Sequence, residues 1–220
     1  MLIHTPEPRP SHVIIYAGGQ LGDSMLTLLK TADYVIGADR GALFLIQHHI
    51  QPDLAVGDFD SVQENERIWI REQSRQYIDF DAVDKDYTDT ELAFNIALEW
   101  LPEQITLCGV TGTRLDHTLA NIHLLRKALD AGVACRIVDD HNLIMITNSA
   151  LTLTRQPFPY ISLLPLSSVV TGITLEGFAY PLTNATLQIG QSLGISNEFV
   201  NEEVTITVTD GYLLVMCSRD

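Results

Sequence analysis

The chain has 220 residues, with 13 Lys and Arg against 28 Asp and Glu, a formal net charge of −15 and a pI near 4.6. A content of 46% hydrophobic residues and a mean hydropathy of +0.13 exclude global disorder, and the length suits one large domain or two small ones. The negative balance excludes nucleic acid and an anionic membrane surface as default partners, because both need a basic face; a polyanionic small molecule stays possible if cations accompany it.

Cys108, Cys135 and Cys217 are far apart and form no CxxC pair. They read as buried thiols of a reducing compartment, not as a disulfide framework or a zinc site. The first twelve residues hold three prolines and no apolar signal-peptide core, and no apolar run reaches the length of a membrane span. These features predict a cytoplasmic protein.

Along the first two-thirds, short apolar runs alternate with helical patterns. Val13–Ala17 is a β-rich run ending in Gly18-Gly19, followed by a helical pattern from Asp23 to Lys30. Tyr34–Gly37 is a second run, ending at Ala38-Asp39, and a helix is expected over Ala42–His49. Leu54–Val56 leads into Gly57-Asp58-Phe59-Asp60-Ser61, an amphipathic stretch fills Val62–Gln76, and Tyr77–Phe80 reads as a short strand. Thr88 with Glu91 three residues later has the spacing of a capping box and predicts the start of the next helix. Ile105–Gly109 is the next strand, Asp116–Leu129 a helix closed by Gly132, and Val133–Val138 a further strand. Trp69 and Trp100 fall at helical spacing and read as core. Alternation at this spacing means βαβ units around a parallel sheet.

The composition shifts near residues 139–150. Beyond it, Thr, Val, Ile, Leu and Ser dominate, with strands expected at Ile173–Leu175, Ala185–Ile189 and Val204–Val208. The chain is therefore read as an α/β fold: an N-terminal parallel-sheet nucleotide domain over residues 1–140 and a C-terminal antiparallel β-sandwich domain over 141–220.

The chemistry-bearing residues cluster at the ends of the parallel strands, where such sheets bind ligands. Residues 53–91 hold twelve acidic residues. Asp58 and Asp60 sit one residue apart in the loop after the third strand, where they form either a solvated acidic turn or a pair of hard oxygen ligands for Mg²⁺. Asp84-Lys85-Asp86 precede the capped helix, whose N-terminus suits phosphate. Thr88, Asp89 and Glu91 there are explained as cap and dipole complement; Asp84-Lys85-Asp86 are not. The loop Gly109–His117 follows another strand and opens a helix; Arg114 can grip a phosphate in bidentate fashion, or it is a surface charge beside an Asp116 cap. No GxGxxG, GxxxxGK[ST] or GxSxG motif occurs. Carboxylates for metal and cations for phosphate together predict a metal-dependent enzyme handling a phosphoanhydride.

These loops resemble, in order, the motifs of the thiamine pyrophosphokinase family. The matching segments are Ala38-Asp39-Arg40-Gly41-Ala42, Gly57–Ser61, Asp84–Asp89 and Gly112–His117, then Gly177–Pro181, Asn184–Leu187 and Ser196-Asn197-Glu198. The resemblance implies transfer of a pyrophosphoryl group from ATP to the hydroxyl of thiamine, giving thiamine diphosphate and AMP. It implies an ATP- and Mg-binding catalytic domain, a thiamine-binding β sandwich, and a homodimer with active sites at the interface. By motif, Asp58, Asp60 and Asp86 would hold Mg²⁺ with Asp39 nearby. Lys85, Arg114 and His117 would face phosphates or the nucleotide, flanked by Thr88, Asp89 and Asp116. Ser196 and Asn197 would contact the thiamine pyrimidine. Either Asp86 or Asp60 would orient the hydroxyl or accept its proton. Thr113 and Arg40 stand where the family usually or often has Gly, and Arg40 could reach into the site or point outward. Two rival readings stand beside this one. A haloacid-dehalogenase-like phosphatase needs its nucleophilic Asp directly at a strand end, whereas here the pair follows Gly57. A non-catalytic nucleotide or cation sensor would bind without turnover.

Overall fold

The computed structural model describes residues 6–80 and 87–220. The chain divides into two compact units, Met1–Asp140 and His141–Asp220. No helix among the described residues is long and apolar enough to cross a membrane.

The first unit is built on parallel strands β1 (His12–Tyr16), β2 (Tyr34–Ala38), β3 (Leu54–Gly57), β4 (Gln76–Asp79), β5 (Gln104–Cys108) and β6 (Ala134–Val138), in the order β4-β3-β2-β1-β5-β6. β1 pairs with β2 through Val13↔Tyr34 and with β5 through His12↔Gln104, so all five of its residues are buried. The chain builds the sheet outward from β1 to β4, then returns to add β5 on the other side. That reversal leaves a crevice beyond the carboxyl ends of β1, β2 and β5.

Among the described residues four α-helices lie between these strands: α1 (Arg40–Gln47), α2 (Glu64–Gln73), α3 (Asp89–Glu99) and α4 (Leu115–Asp130). The Thr88 hydroxyl accepts the Glu91 N–H at 3.2 Å, which fixes where α3 begins. Trp100 closes α3, is buried, and meets Tyr34 edge-on with ring centroids 4.9 Å apart. Trp69 differs from expectation, being 39% exposed. Consecutive helical residues point about 100° apart, so α2 can seat only one of Ile68, Trp69 and Ile70 fully; Ile70 takes the core place. Asp23–Thr31 winds as a 3-10 helix rather than an α-helix. Thr27 and Thr31 hydroxyls donate to carbonyls three residues back, and the Tyr16 hydroxyl takes the Met25 carbonyl, contacts that suit the tighter turn.

The second unit has two antiparallel sheets. One orders β7 (Asn142–Thr147), β13 (Leu213–Ser218) and β9 (Tyr160–Pro165); the other orders β11 (Ala185–Gln188), β10 (Val169–Glu176), β12 (Glu203–Thr207) and β8 (Leu151–Thr154). Ile161, Ile173, Leu187, Ile206, Leu213 and Val215 have no exposed surface and form its core. All three cysteines are buried, and burial pushes the Cys108 thiol up to about 12 and the Cys217 thiol to about 11, so both stay protonated and unreactive.

One buried polar chain crosses the amino end of the first sheet. His12 Nδ1 lies 2.9 Å from the Thr31 carbonyl, which only accepts, so Nδ1 carries the proton. Nε2 then accepts from the Thr106 hydroxyl at 2.8 Å, which in turn accepts from Arg136 Nε at 3.0 Å. Burial pushes the imidazole below its ordinary 6.5; the Thr31 carbonyl opposes, Arg136 adds to the lowering and Asp33 opposes. A depressed folded value means that the stability is present above pH 6.5 and lost as pH falls through and below it, because the unfolded chain binds the proton first. The expected loss on acidification is at most about 1.4 kcal/mol per pH unit for this one proton. Urea melts of wild type and His12→Gln between pH 7.5 and 5.5 check it: the variant should show the shallower pH dependence, and equal slopes would rule out His12 as the source.

Candidate functional site

A cleft of about 430 Å³ opens at the carboxyl ends of β1, β2 and β5. The glycines after β1 and β5 allow these two loops to meet. Gly19 N–H donates to the Gly109 carbonyl at 2.7 Å, and a Cβ at position 19 would lie 2.4 Å from that oxygen, so a side chain there would force the loops apart. On the far side of the β5 loop, the buried Asn121 carboxamide donates to the Val110 carbonyl at 2.8 Å. Thr111 donates to Asp139 at 2.8 Å.

The loop after β3 brings carboxylates together. Phe59 is 2% exposed and stacks on Tyr77 with centroids 4.8 Å apart, so it anchors the loop in the core. Its φ of +56° turns the chain sharply between Asp58 and Asp60. The buried Asp58 accepts the Asp60 N–H at 3.0 Å, and its own N–H donates to Asp89 Oδ1 at 3.3 Å. Gly57 adopts φ +152°, and a Cβ there would lie 3.4 Å from both Asp39 Cβ and Asp89 Oδ1. Asp39, from the end of β2, sits in a left-handed conformation with φ +49°. The Ser61 hydroxyl donates to Asp39 Oδ2, while the buried Asp39 Oδ1 has no hydrogen-bond partner among the described residues. Strained backbone and an orphaned buried acceptor are costs that cluster at functional sites.

Of the residues singled out from sequence, Asp39, Thr88, Asp89, Arg114 and His117 line the cleft. Asp58 and exposed Asp60 lie on the adjoining loop, linked to it through Asp89 and Ser61. Asp116 is not the cap of α4. It sits in the first turn and binds Arg114 through two hydrogen bonds, which hold its carboxyl down at about 2. Asp84, Lys85 and Asp86 lie outside the described residues. Among the described residues no three carboxylate, imidazole or thiolate groups are gathered closely enough to hold a metal unaided.

Sequence reading left Arg40 open between the site and the outside, and missed Thr118 and Asn121; all three line the cleft. His117, Thr118 and Asn121 follow Arg114 at helical spacing, so one face of α4 was the available signal.

In the second unit, Ser196 has φ +57° and an exposed side chain. Asn197 is 6% exposed and its carboxamide is spent on backbone: Nδ2 donates to Tyr180 O at 2.7 Å, and Oδ1 accepts from Tyr180 N at 3.0 Å and Glu198 N at 2.9 Å. Asn197 thus clasps the 178–180 segment, while Ser196 and Glu198 on either side of it are exposed.

Comparison with known proteins decides the family. The sequence profile "Thiamin pyrophosphokinase, catalytic domain" matches residues 25–137, and "Thiamin pyrophosphokinase, vitamin B1 binding domain" matches residues 149–213. The thiamine pyrophosphokinase of Bacillus subtilis (strain 168) is 37% identical over 187 residues, covering 84% of this chain and 87% of its own length. The chain belongs to the thiamin pyrophosphokinase family. The crystal structure of the thiamine pyrophosphokinase from Bacillus subtilis superposes with a TM-score of 0.87 at 34% identity, covering 95% of this chain and 99% of that one. A thiamin pyrophosphokinase family protein from Enterococcus faecalis gives 0.83 at 33% identity, covering 96% and 100%. Thiamin pyrophosphokinase from Candida albicans shares the fold at a TM-score of 0.82 and 16% identity, covering 96% and 90%. The catalytic-domain match runs from within the 3-10 helix to β6, so it contains the β2, β3 and β5 loops of the cleft.

The two residues of the 196–197 turn should separate in a stability assay. Asn197→Ala removes the three hydrogen bonds that the buried Asn197 carboxamide makes to the Tyr180 and Glu198 backbone and is expected to cost about 1–3 kcal/mol. Ser196→Ala should stay within about 0.5 kcal/mol of wild type. Chemical denaturation of both variants checks this; equal stability of Asn197→Ala and wild type would show that the clasp is not made.

Proposed function

We propose that the protein transfers a pyrophosphoryl group from ATP to the hydroxyl of thiamine, giving thiamine diphosphate and AMP, with Mg²⁺ required. The first unit is the ATP- and Mg-binding catalytic domain and the second binds thiamine. Family membership supports the reaction class. The single observation that carries the metal-dependent phosphoanhydride reading is the gathering of Asp39, Asp58 and Asp89 around Gly57 at the cleft.

The donor set fits Mg²⁺. All candidate ligands are hard carboxylate oxygens, and the buried, unpartnered Asp39 Oδ1 is an acceptor that a cation would satisfy. Such a metal takes one or two carboxylates and completes its shell with phosphates and water. Asp58 and Asp60 would hold it with Asp39, joined by Asp86 on the family resemblance. When bound, Mg²⁺ neutralises phosphate charge and stabilises the charge that develops on the transferring group.

The chain's own groups do the rest. The first turn of α3, capped by Thr88, offers N–H groups and a partial positive charge to a phosphate, with Lys85 just upstream. Arg114 exchanges Asp116 for phosphate oxygens, and its planar fork suits either partner. His117 is exposed beside it. The thiamine hydroxyl oxygen attacks the β-phosphorus as the bond to the α–β bridging oxygen breaks, and AMP departs with that oxygen. The hydroxyl proton passes to a carboxylate, Asp86 or Asp60. Ser196 supplies a hydroxyl to the pyrimidine, and Asn197 shapes the turn that presents it.

Formation of AMP that depends on both thiamine and Mg²⁺ tests the proposal; release of free phosphate, or binding without turnover, would replace it with one of the rival readings. Asp58→Asn and Asp60→Asn should each lower turnover about a hundredfold or more while the fold is kept. Near-normal turnover of either variant at saturating Mg²⁺ would remove that residue from the metal site.

The working molecule is proposed to be a homodimer with active sites at the interface. Tyr180, Ile189, Leu193 and Val200 are each at least 60% exposed, an apolar surface that a second copy would cover. Light scattering should give about twice the 24.4 kDa chain mass, and a fully active monomer at assay concentration would sink the interface.

A further inference from the structure

Arg40 opens α1 directly after Asp39 and lines the 430 Å³ cleft. It also lines an adjoining hollow of about 650 Å³, where Leu21, Phe44, Gln47 and Gln63 take part. The two spaces share Gly18, Gly19, Arg40 and Ser61, so Arg40 stands at their junction.

Its pairing sets it apart from the other arginine of the cleft. Arg114 is engaged by both oxygens of Asp116. Arg40 has no carboxylate within ion-pair distance among the described residues. The nearest acid in the chain, Asp39, receives the Ser61 hydroxyl instead. An exposed guanidinium with no ion-pair partner among the described residues is a donor fork available to an incoming anion. Space has been left for it: a Cβ at Gly18 would lie 3.3 Å from Arg40 Cβ.

The topology places the two arginines apart. Arg40 follows β2 and Arg114 precedes α4 after β5, and these strands flank β1 on opposite sides. Strand ends two places apart are separated by about 10 Å. Two forks carried on the loops that leave these strand ends can grip an extended polyanion at two points, where a single phosphate would occupy only one.

We infer that Arg40 is a binding residue for the β- and γ-phosphates of the nucleotide donor, one that discriminates nucleoside triphosphate from monophosphate; the inference rests on the ATP reading above. Calorimetric titration without thiamine separates the two. Wild type, Arg40→Gln and Arg40→Lys are each titrated with MgATP and with AMP at two salt concentrations, and their melting temperatures are compared. Arg40→Gln should weaken MgATP about tenfold, leave AMP and the melting temperature unchanged, and flatten the salt dependence; Arg40→Lys should recover part of the loss. Equal MgATP affinity of wild type and Arg40→Gln overturns the assignment. So does an equal loss for MgATP and AMP, which would put Arg40 on the nucleoside or the α-phosphate. Wild type that binds MgATP but forms no AMP with thiamine refutes the proposed reaction alone, while the titrations still decide the role of Arg40.

Discussion

Acidic residues from two separate elements meet beside one residue that has no side chain. Gly57 ends β3 at φ +152°, and Asp39 from β2 and Asp89 from α3 both approach the place where its Cβ would be. Any side chain at position 57 would meet strained backbone and two acidic neighbours together. The like charges are held by local donors: the Ser61 hydroxyl on Asp39, the Asp58 N–H on Asp89 and the Asp60 N–H on Asp58. Asp89 also lies in the first turn of α3, where the helix dipole favours a negative charge. These contacts make the cluster tolerable, and backbone strain of this kind is a usual way for a site to trade stability for function.

The cluster depends on the sheet. Strands β2 and β3 lie side by side in parallel register, Ala38↔Val56, so the residues that follow them emerge at the same height. The reversal between β1 and β5 then sets the Gly109–Arg114 loop against Gly19 and Gln20. Phe59 completes the device: with its ring packed against Tyr77, Leu43 and Ile70 in the core, the acids on either side of it are kept out of the core.

What was legible in the sequence follows from range. The Thr88 cap and the strand ends bearing Asp58–Asp60 and Gly109–Arg114 are local signals, carried within a few residues. The pairing of Ser61 with Asp39 spans 22 positions and depends on β2 lying beside β3, which no local pattern encodes. Position 197 shows the same limit. An Asn next to a Ser reads equally as ligand or turn, and only the Tyr180 backbone, 17 residues away, reveals the carboxamide as a clasp. In the second unit β12 alternated and was visible. β13, with Leu213-Leu214-Val215 in an unbroken apolar run, is a central strand whose period gives no such signal, because both of its neighbours and its core face are apolar. Trp69 failed for the opposite reason: the pattern was there, but the helix had room for Ile70 alone.

The net charge of −15 sets the remaining constraint. A polyanion approaching such a molecule is repelled at long range, and the repulsion is screened within about 10 Å at 0.1 M salt. Any polyanion that binds must therefore be held by short-range contacts. Asp116, held at about 2 by Arg114, stays ionised throughout the neutral range, so protonation does not release that arginine. A competing anion can, because the pair is exposed on both sides and its attraction is weakened by solvent. The same field repels a polyanion less once part of its charge is neutralised, so overall charge separates the more from the less highly charged form of one anion before any contact is made.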